Sequence, residues 1–506
     1  MTKTTLSRNT LSQVPQHISV PQPCVLGAKV GIVHIGAGNF HRAHQAPLYQ
    51  DIMQNAGGDW RVVGVSLRSP KMADILTSQD GLYSIKETSI SGNRTRIIGS
   101  IERVLFAPQQ AAEYLEYMVS QNIKIITLTI TEKGYCHTPS TGKLDLSHQD
   151  IIADQKNTAL PTSALGWLAY GLKARMDAAS EPVTIISCDN LPDNGRLLEG
   201  VLLEYCQEFY NAKLVNWIKS NVTFPNSMVD RIVPATTKTG LQSASQHLAM
   251  QDAGALVCEQ FSQWVIKDNF ANTHPDFSQV GVRLVADVAP YQELKLRMLN
   301  GTHSLLAYIG CMLDLETVAD FVDDADMKTF LSTVMNNEII PSVSCPAGFE
   351  IKPYGQDLID RFCNSEIHHQ TAQIAMDGSH KIPVRWVPVI NYWLAQGIIP
   401  QGLLIGIAAW ALCLGQVSES GKRFDFQDQI GDKLQQSWHS NAQNPKQQML
   451  DLLSFKQIFS GQIARNDRFS SALIKVYNQM KTDGIRQLVK TYIKSAQQDK
   501  PEEYLT

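Results

Sequence analysis

The chain has 506 residues, too many for one ordinary core, so two domains of roughly 200–280 residues are expected. Hydrophobic residues make up 43% and charged residues 18%, the make-up of a globular protein in water, and a net charge of −4 excludes nucleic-acid binding driven by basic charge. Nine scattered cysteines without CxxC spacing fit free thiols in a reducing, cytoplasmic setting, and no apolar run reaches the ~18 residues of a membrane span.

The opening stretch, MTKTTLSRNTLSQVPQHISVPQP, is polar, lacks the apolar centre of a signal segment and reads as an arm leading into the first domain. Residues 29–35, KVGIVHI, form a β-branched run ending at GAGNF, which predicts a buried first strand of a parallel sheet. Residues 39–55 carry helical spacing through Phe40, Ala43, Leu48, Ile52 and Met53. WRVVGVSL (60–67) predicts a second strand, and 72–76 starts a short helix. Residues 83–86 and 95–101 read as a hairpin with Gly92-Asn93 at its turn. Residues 110–119 are helical, and IKIITLTI (123–130) is a strong buried strand. An amphipathic helix (163–178), the strand PVTIISC (182–188), a helix (195–210) and a last strand, VGVRLVADV (280–288), follow. This alternation predicts a doubly wound α/β domain to about residue 285. From Tyr291 the pattern becomes helical, over 291–312, 327–338, 355–363, 385–395, 400–415, 446–459 and 469–495, with 417–447 as a loop-rich surface excursion.

Gly36-Ala37-Gly38 lies between a predicted strand and a predicted helix, the context in which glycines cradle a pyrophosphate. His41 stands where the fingerprint has its third glycine, and the HRAH run is placed near the pyrophosphate. The acid expected after the second strand is replaced by Ser66-Leu67-Arg68-Ser69. Arg68 either favours a 2′-phosphate, and so NADP, or stacks on adenine. Ligands of open α/β sheets bind beyond the carboxyl ends of strands, where this chain carries Thr131-Glu132-Lys133 and DNLPDNG. Asn190 is placed to donate to a substrate oxygen. DNLPDNG also suits a turn with Asp193 or Asn194 capping the next helix, and both roles are compatible. Asp230-Arg231 reads either as a buried ion pair or as a site carboxylate. Lys381 and Arg385 flank a Gly-Ser turn and suit an anionic substrate or plain surface charge. His41/His44 and His368/His369 are expected to be ordinary polar residues, and no metal site is expected.

The stretch YQELKLRMLNGTHSLLAYIG (291–310) places Lys295, Asn300 and His303 in an apolar run. At ~100° per residue the three span an arc of about 140° on one side of a helix. Burial lowers the pKa of an amine, which makes Lys295 a candidate general base. The simpler reading is a snorkelling lysine and a satisfied core histidine.

Together GAGNFHRAHQ, LTITEKGYC, ISCDN, FPNSMVDRIVP, KLRMLNGTHS and AMDGSHK resemble the long-chain polyol dehydrogenase (mannitol dehydrogenase) family, in family order from residue 31 to about 385. The resemblance implies a Rossmann-type dinucleotide-binding domain over 1–285 and a mostly α-helical substrate-binding and catalytic domain over 286–506. It implies an active site in the cleft between them and metal-independent hydride transfer with NAD, NADP not being excluded. It assigns Lys295 as general acid/base, Asn190 and Asn300 to the reacting oxygen, and His303 to substrate orientation. Gly36, Ala37, Gly38, Asn39, Phe40, Arg68, Thr131 and Glu132 would serve the cofactor, and Lys133, Asp230, Lys381 and Arg385 the substrate. TEKGYC and MDGSHKIPVR follow the sugar-acid members, which points to fructuronate and mannonate ahead of mannitol and fructose; a non-catalytic dinucleotide-binding scaffold is the reading from another class. Gln292 replaces an acid that many members have near the lysine, and His368-His369-Gln370 replaces a more arginine-rich stretch. The expected partners are a small sugar acid or polyol, with no nucleic acid and no membrane, for a monomer or small homo-oligomer.

Overall fold

A computed structural model describes residues 4–498. The chain divides into two compact units, Met1–Ala289 and Pro290–Thr506. Residues 1–3 of the expected arm and 499–506 of the expected helical domain lie outside the described residues.

The first unit is built on six strands: β1 (Val30–Ile35), β2 (Arg61–Ser66), β3 (Ile101–Phe106), β4 (Ile125–Leu128), β5 (Val183–Ser187) and β6 (Val222–Thr223). Their order is β6-β5-β4-β1-β2-β3, with every neighbouring pair parallel. This is the Rossmann topology, whose strand order reverses between β1 and β4 and opens a crevice at their carboxyl ends. The strands read as continuous apolar runs because both faces are covered. Val33, Ile35, Val63, Val65, Ile126, Leu128 and Ile185 enter one core with Tyr114 and Trp167. Ile32, Val62, Val104, Ile125 and Ile186 enter the opposite core with Ala46, Tyr49 and Ile52.

Several local expectations change. Ser89 pairs with Gly92, so the hairpin of Tyr83–Ser89 and Gly92–Ile98 turns on Ile90-Ser91, and Gly92 at φ +129° closes it. The strand expected to run to residue 101 breaks at Gly99-Ser100. A Cβ on Gly99 would lie 2.9 Å from Leu26 and Pro21, and Ser100 donates its hydroxyl to the Ala46 carbonyl at 2.6 Å. β3 begins beyond this break. The expected last strand is mostly irregular: a 3-10 turn, Phe277–Val280, meets Gly281 at φ +73°, and only Arg283–Val285 is extended. In the arm, Leu6, Val14 and Ile18 are buried against Leu82, Ile97, Leu248 and Met250.

The second unit is helical. Every residue of Gly301–Met312 is buried, and so is nearly all of Gln401–Cys413. A Cβ on Gly406 would come 2.7 Å from Leu305, so this glycine permits the close approach of the two helices. The helix expected over 291–312 has three parts: Ala289–Leu294, a π-helical turn Lys295–Asn300, and Gly301–Met312. The helix expected over 469–495 divides at Gly484, φ +81°, into Asp467–Asp483 and Ile485–Gln498. The excursion at 417–447 contains the helix Gly431–Ser440, anchored by buried Leu434 and Trp438. Among the described residues no helix is long and apolar enough to cross a membrane.

Glu338 ties this unit together. Its carboxylate accepts from the Gly402 and Leu403 amides at 2.6 and 2.9 Å, at the start of Gln401–Cys413, and from the Tyr492 hydroxyl at 2.9 Å. Burial pushes its pKa up to about 7, against the pull of these donors. A carboxyl raised in the folded state stabilises fully below its unfolded pKa near 4.5 and loses that contribution as pH rises to about 7. We therefore expect Glu338→Gln to flatten the fall in stability between pH 5 and 7.5. The difference between wild-type and variant unfolding free energies should change by on the order of 3 kcal/mol across that window. Parallel denaturation curves at all pH values would contradict this.

Candidate active site

The glycine loop follows β1 directly. Gly36 has φ +95°, and a Cβ there would stand 2.1 Å from the Thr129 carbonyl oxygen, so only glycine fits. Gly38 is exposed, and a Cβ on it would meet nothing nearer than the Gly36 oxygen at 3.8 Å. Beneath the loop, His34 of β1 bonds Thr127 Oγ1 at 2.7 Å, Thr129 Oγ1 at 2.9 Å and the Gly36 carbonyl at 3.1 Å. His41 stacks on His34 with ring centroids 3.4 Å apart. Where the usual third glycine lets helix and strand approach, two flat rings fill the space. Burial holds both imidazoles neutral, lowering His34 to about 3.

The HRAH histidines turn inward and support the loop from below. His44 bonds the Gln263 carbonyl at 2.9 Å. Asn39 accepts from Arg42 at 2.8 Å, and Phe40 stacks on His44 at 5.0 Å. Exposed Arg68 is held in a two-pronged pair with Asp150.

At the ends of β4 and β5 the organising group is Asp189, whose role the sequence reading lacks. Its carboxylate accepts from the Ile130 and Thr131 amides at 3.0 and 2.9 Å and from the Tyr135 hydroxyl at 2.8 Å. Burial raises its pKa, and these three donors oppose the rise. Thr131 has φ +61°, a strained value for a β-branched residue, and Asp189 holds it by its N–H. Thr131, Glu132, Lys133 and Asn190 stand exposed on this braced pair of loops.

Helix Asn194–Phe209 is not capped by Asp193 or Asn194. Asn226 of FPNSM accepts from the Gly195 and Arg196 amides at 2.9 and 3.1 Å. The buried Asn194 amide instead donates to the Ser187, Asp189 and Ser227 carbonyls. Arg231 of the Asp230-Arg231 pair of residues has an ionic partner from another strand. Arg231 reaches Glu87 at 2.7 Å, both side chains being 2% exposed, while Asp230 ends the strand Ser227–Asp230, opposite Gln263.

Cys136, His148 and Asp150 bring ligand-type atoms within 4.8 Å of one another. Asp150 is already bound by Arg68, and burial pushes the Cys136 thiol up to about 12, so the group suits an ion pair better than a metal.

In the second unit Lys295, Asn300 and His303 are 8%, 9% and 7% exposed. The first two lie in the π-helical turn, so the 100° spacing assumed from the sequence does not apply between them. Arg385 donates to the Asn300 carbonyl at 3.0 Å and to Ser304 at 2.8 Å, and Trp386 donates to the Gly301 carbonyl at 3.0 Å. Arg385 thus binds protein at the wide turn, where the sequence reading offered it to an anionic substrate. Lys381, one turn earlier, gives two of its N–H groups to the Ile374 and Met376 carbonyls. Burial, aided by Arg385, lowers Lys381 to about 8.

His303 packs on Phe362 at 4.7 Å and edge-on to His369 at 5.4 Å. Burial, then the charges of His369, Arg361, Arg385 and Lys381, push its pKa well below the ordinary value. A neutral imidazole therefore sits among cations. His369 belongs to this cluster as well; neither it nor Arg361 carries a local motif that would have marked it.

Two family models match the chain, the mannitol dehydrogenase Rossmann domain over residues 30–279 and the mannitol dehydrogenase C-terminal domain over 287–481. The D-mannonate oxidoreductase of Escherichia coli is 37% identical, over 90% of this chain and 94% of that protein. A polyol:NADP oxidoreductase of Gluconobacter oxydans is 36% identical, over 83% of this chain and 87% of its own. The solved mannitol 2-dehydrogenase of Pseudomonas fluorescens, a ternary complex with NAD and D-mannitol, is 33% identical with a TM-score of 0.82, covering 97% of this chain and 99% of that one. A parallel Rossmann sheet with an open glycine loop, a helical unit with a buried lysine, and matches across both units lead to one conclusion: the chain belongs to the mannitol dehydrogenase family of polyol and sugar-acid oxidoreductases.

Proposed function

We propose that this protein interconverts D-fructuronate and D-mannonate, a keto sugar acid and its hydroxy acid, with NAD(H). The observation that carries the choice of a sugar acid is the placing of two cations by His303: Arg385 bonds the Asn300 carbonyl and Ser304 on either side of it, and Lys381 lies one turn earlier on the same helix. Relatives at similar identity act, by name, on mannonate and on polyols, so overall likeness does not select between them. A carboxylate is the substrate feature that such a setting favours.

The glycine loop suits the cofactor. Gly36 makes the turn, and the open side of Gly38 leaves room for a pyrophosphate at the loop. NAD is the dinucleotide in the solved family member named above. A bound nicotinamide supplies a hydride to the carbonyl carbon in reduction and accepts it in oxidation. Lys295 gives the carbonyl oxygen its proton in reduction and removes the hydroxyl proton in oxidation. The Asn190 and Asn300 amides donate to that oxygen as negative charge develops on it. Neutral His303 orients a substrate hydroxyl. Asp230 and Lys133 line the sugar, and Lys381 holds the carboxylate with its remaining N–H. Arg385 contributes charge while bracing Asn300.

One panel tests the reading: NADH oxidation with fructuronate, tagaturonate and fructose as acceptors. Fructuronate should be reduced fastest. Turnover of fructose alone would replace the proposal with a polyol dehydrogenase, and NADH binding without turnover of any acceptor would leave a scaffold. In the same assay Lys295→Ala should lower turnover about 10²-fold or more while still binding NADH.

Lys381 adds a pH signature. It is cationic below about 8 and loses its proton above, with Arg385 favouring the loss and Asp377 and Asp428 opposing it. The KM for fructuronate should rise between pH 7.5 and 9.5, and Lys381→Arg should abolish that rise. An unchanged profile in the variant would remove Lys381 from carboxylate binding.

A further inference from the structure

In a doubly wound domain the end of the strand after the glycine loop faces the adenosine ribose, and an acid there binds its 2′-hydroxyl. Here β2 ends at Ser66 and is followed by Leu67-Arg68-Ser69, without an acid. A lone arginine at this place would attract a 2′-phosphate. Arg68 is not alone. Its Nη1 donates to Asp150 Oδ1 at 3.0 Å, and its Nη2 donates to Asp150 Oδ2. The partner comes from a separate segment, 82 residues along the chain, at the start of helix Gln149–Lys156.

The pair is lopsided. The Asp150 side chain is 13% exposed and that of Arg68 is 62% exposed. Asp150 is therefore the fixed member. It lies in the first turn of its helix, where a negative charge is favoured, and His148 Nδ1 accepts from the Asp150 amide at 3.3 Å. A forked, two-point bond also fixes the plane of the guanidinium. The result is a flat, oriented arginine with its charge cancelled.

We infer that Asp150 sets the choice of dinucleotide: by holding Arg68 in a neutral pair it turns the arginine from a 2′-phosphate receptor into a flat neighbour of the adenosine, and so favours NAD(H) over NADP(H). The carboxylate missing from the end of β2 is imported from residue 150. Asp150 is a positioning residue, acting through Arg68. The inference rests on the dinucleotide-binding reading above.

The test is binding, not turnover. NADH and NADPH are titrated separately into the purified full-length protein, and the ratio of their dissociation constants is read from nucleotide fluorescence. The wild type should bind NADH the more tightly. Asp150→Asn should shift the ratio toward NADPH by tenfold or more, since Arg68 keeps its charge and loses its counter-ion. Arg68→Gln should shift it the opposite way, leaving a bare carboxylate to repel the phosphate. Opposite shifts from two members of one pair separate the proposal from simple loss of structure, and Arg68→Gln carries the test if Asp150→Asn does not fold. An unchanged ratio, or shifts in the same direction, overturns the role of Asp150 while leaving dinucleotide binding intact. Wild-type protein that prefers NADPH overturns it too. Failure to bind either nucleotide overturns both readings.

Discussion

The wide turn at Lys295–Asn300 is the constraint on which the second unit's chemistry depends. A π-helical turn is a strained, infrequent arrangement that persists only when its surroundings hold it. Arg385 and Trp386 donate to the successive carbonyls of Asn300 and Gly301 and hold it here. The turn alters the angular relation of Lys295 to Asn300 from that of an α-helix, and it leaves both nearly buried. The same Arg385 charge helps keep His303 neutral, so one side chain serves both the backbone and the electrostatics of the cluster.

The first unit follows a related logic. Its exposed candidate positions are set by buried polar ones. Asp189 ties the loop after β4 to the loop after β5, and Asn194 ties the latter to the strand Ser227–Asp230. His34 joins the glycine loop to Thr127 and Thr129. Each buried polar group has several partners, as burial requires, and each braces a segment that carries an exposed residue. The stiffness lies one layer below the surface on which a ligand would sit.

This layering explains what was legible in the sequence. Runs such as IITL and VTIIS announce themselves because both faces of a parallel strand are apolar, and the glycine loop because its place after a strand is diagnostic. Lys295, Asn300 and His303 stand out as polar interruptions of an apolar run. The bracing residues do not. Asp189 looks like part of a turn, and Arg231 seeks a partner 144 residues away in Glu87. His369 carries no local sign that it faces His303. The two-residue strand β6 is too short for any period, and a π turn has the composition of the α-helix around it. What the sequence hides is long-range pairing and local register, because both are decided by the tertiary fold.

The cationic cluster carries the last step. Placing Lys381 and Arg385 beside a buried histidine is unfavourable, since both cations are desolvated and the Arg385 charge opposes that of Lys381. Burial alone lowers Arg385 to about 10, while burial and then the Arg385 charge lower Lys381 to about 8. Asp377 and Asp428 offset only part of it at Lys381. Asp428 is also engaged with the Ser379 amide and hydroxyl. A fold stabilised mainly by apolar packing has no need of such a group. An anionic substrate bound as proposed would relieve that repulsion and restore Lys381 toward its ordinary pKa, so part of the unfavourable energy of the free pair would become binding energy for a carboxylate. A neutral polyol would leave that repulsion in place, and this asymmetry is the physical ground for preferring a sugar acid.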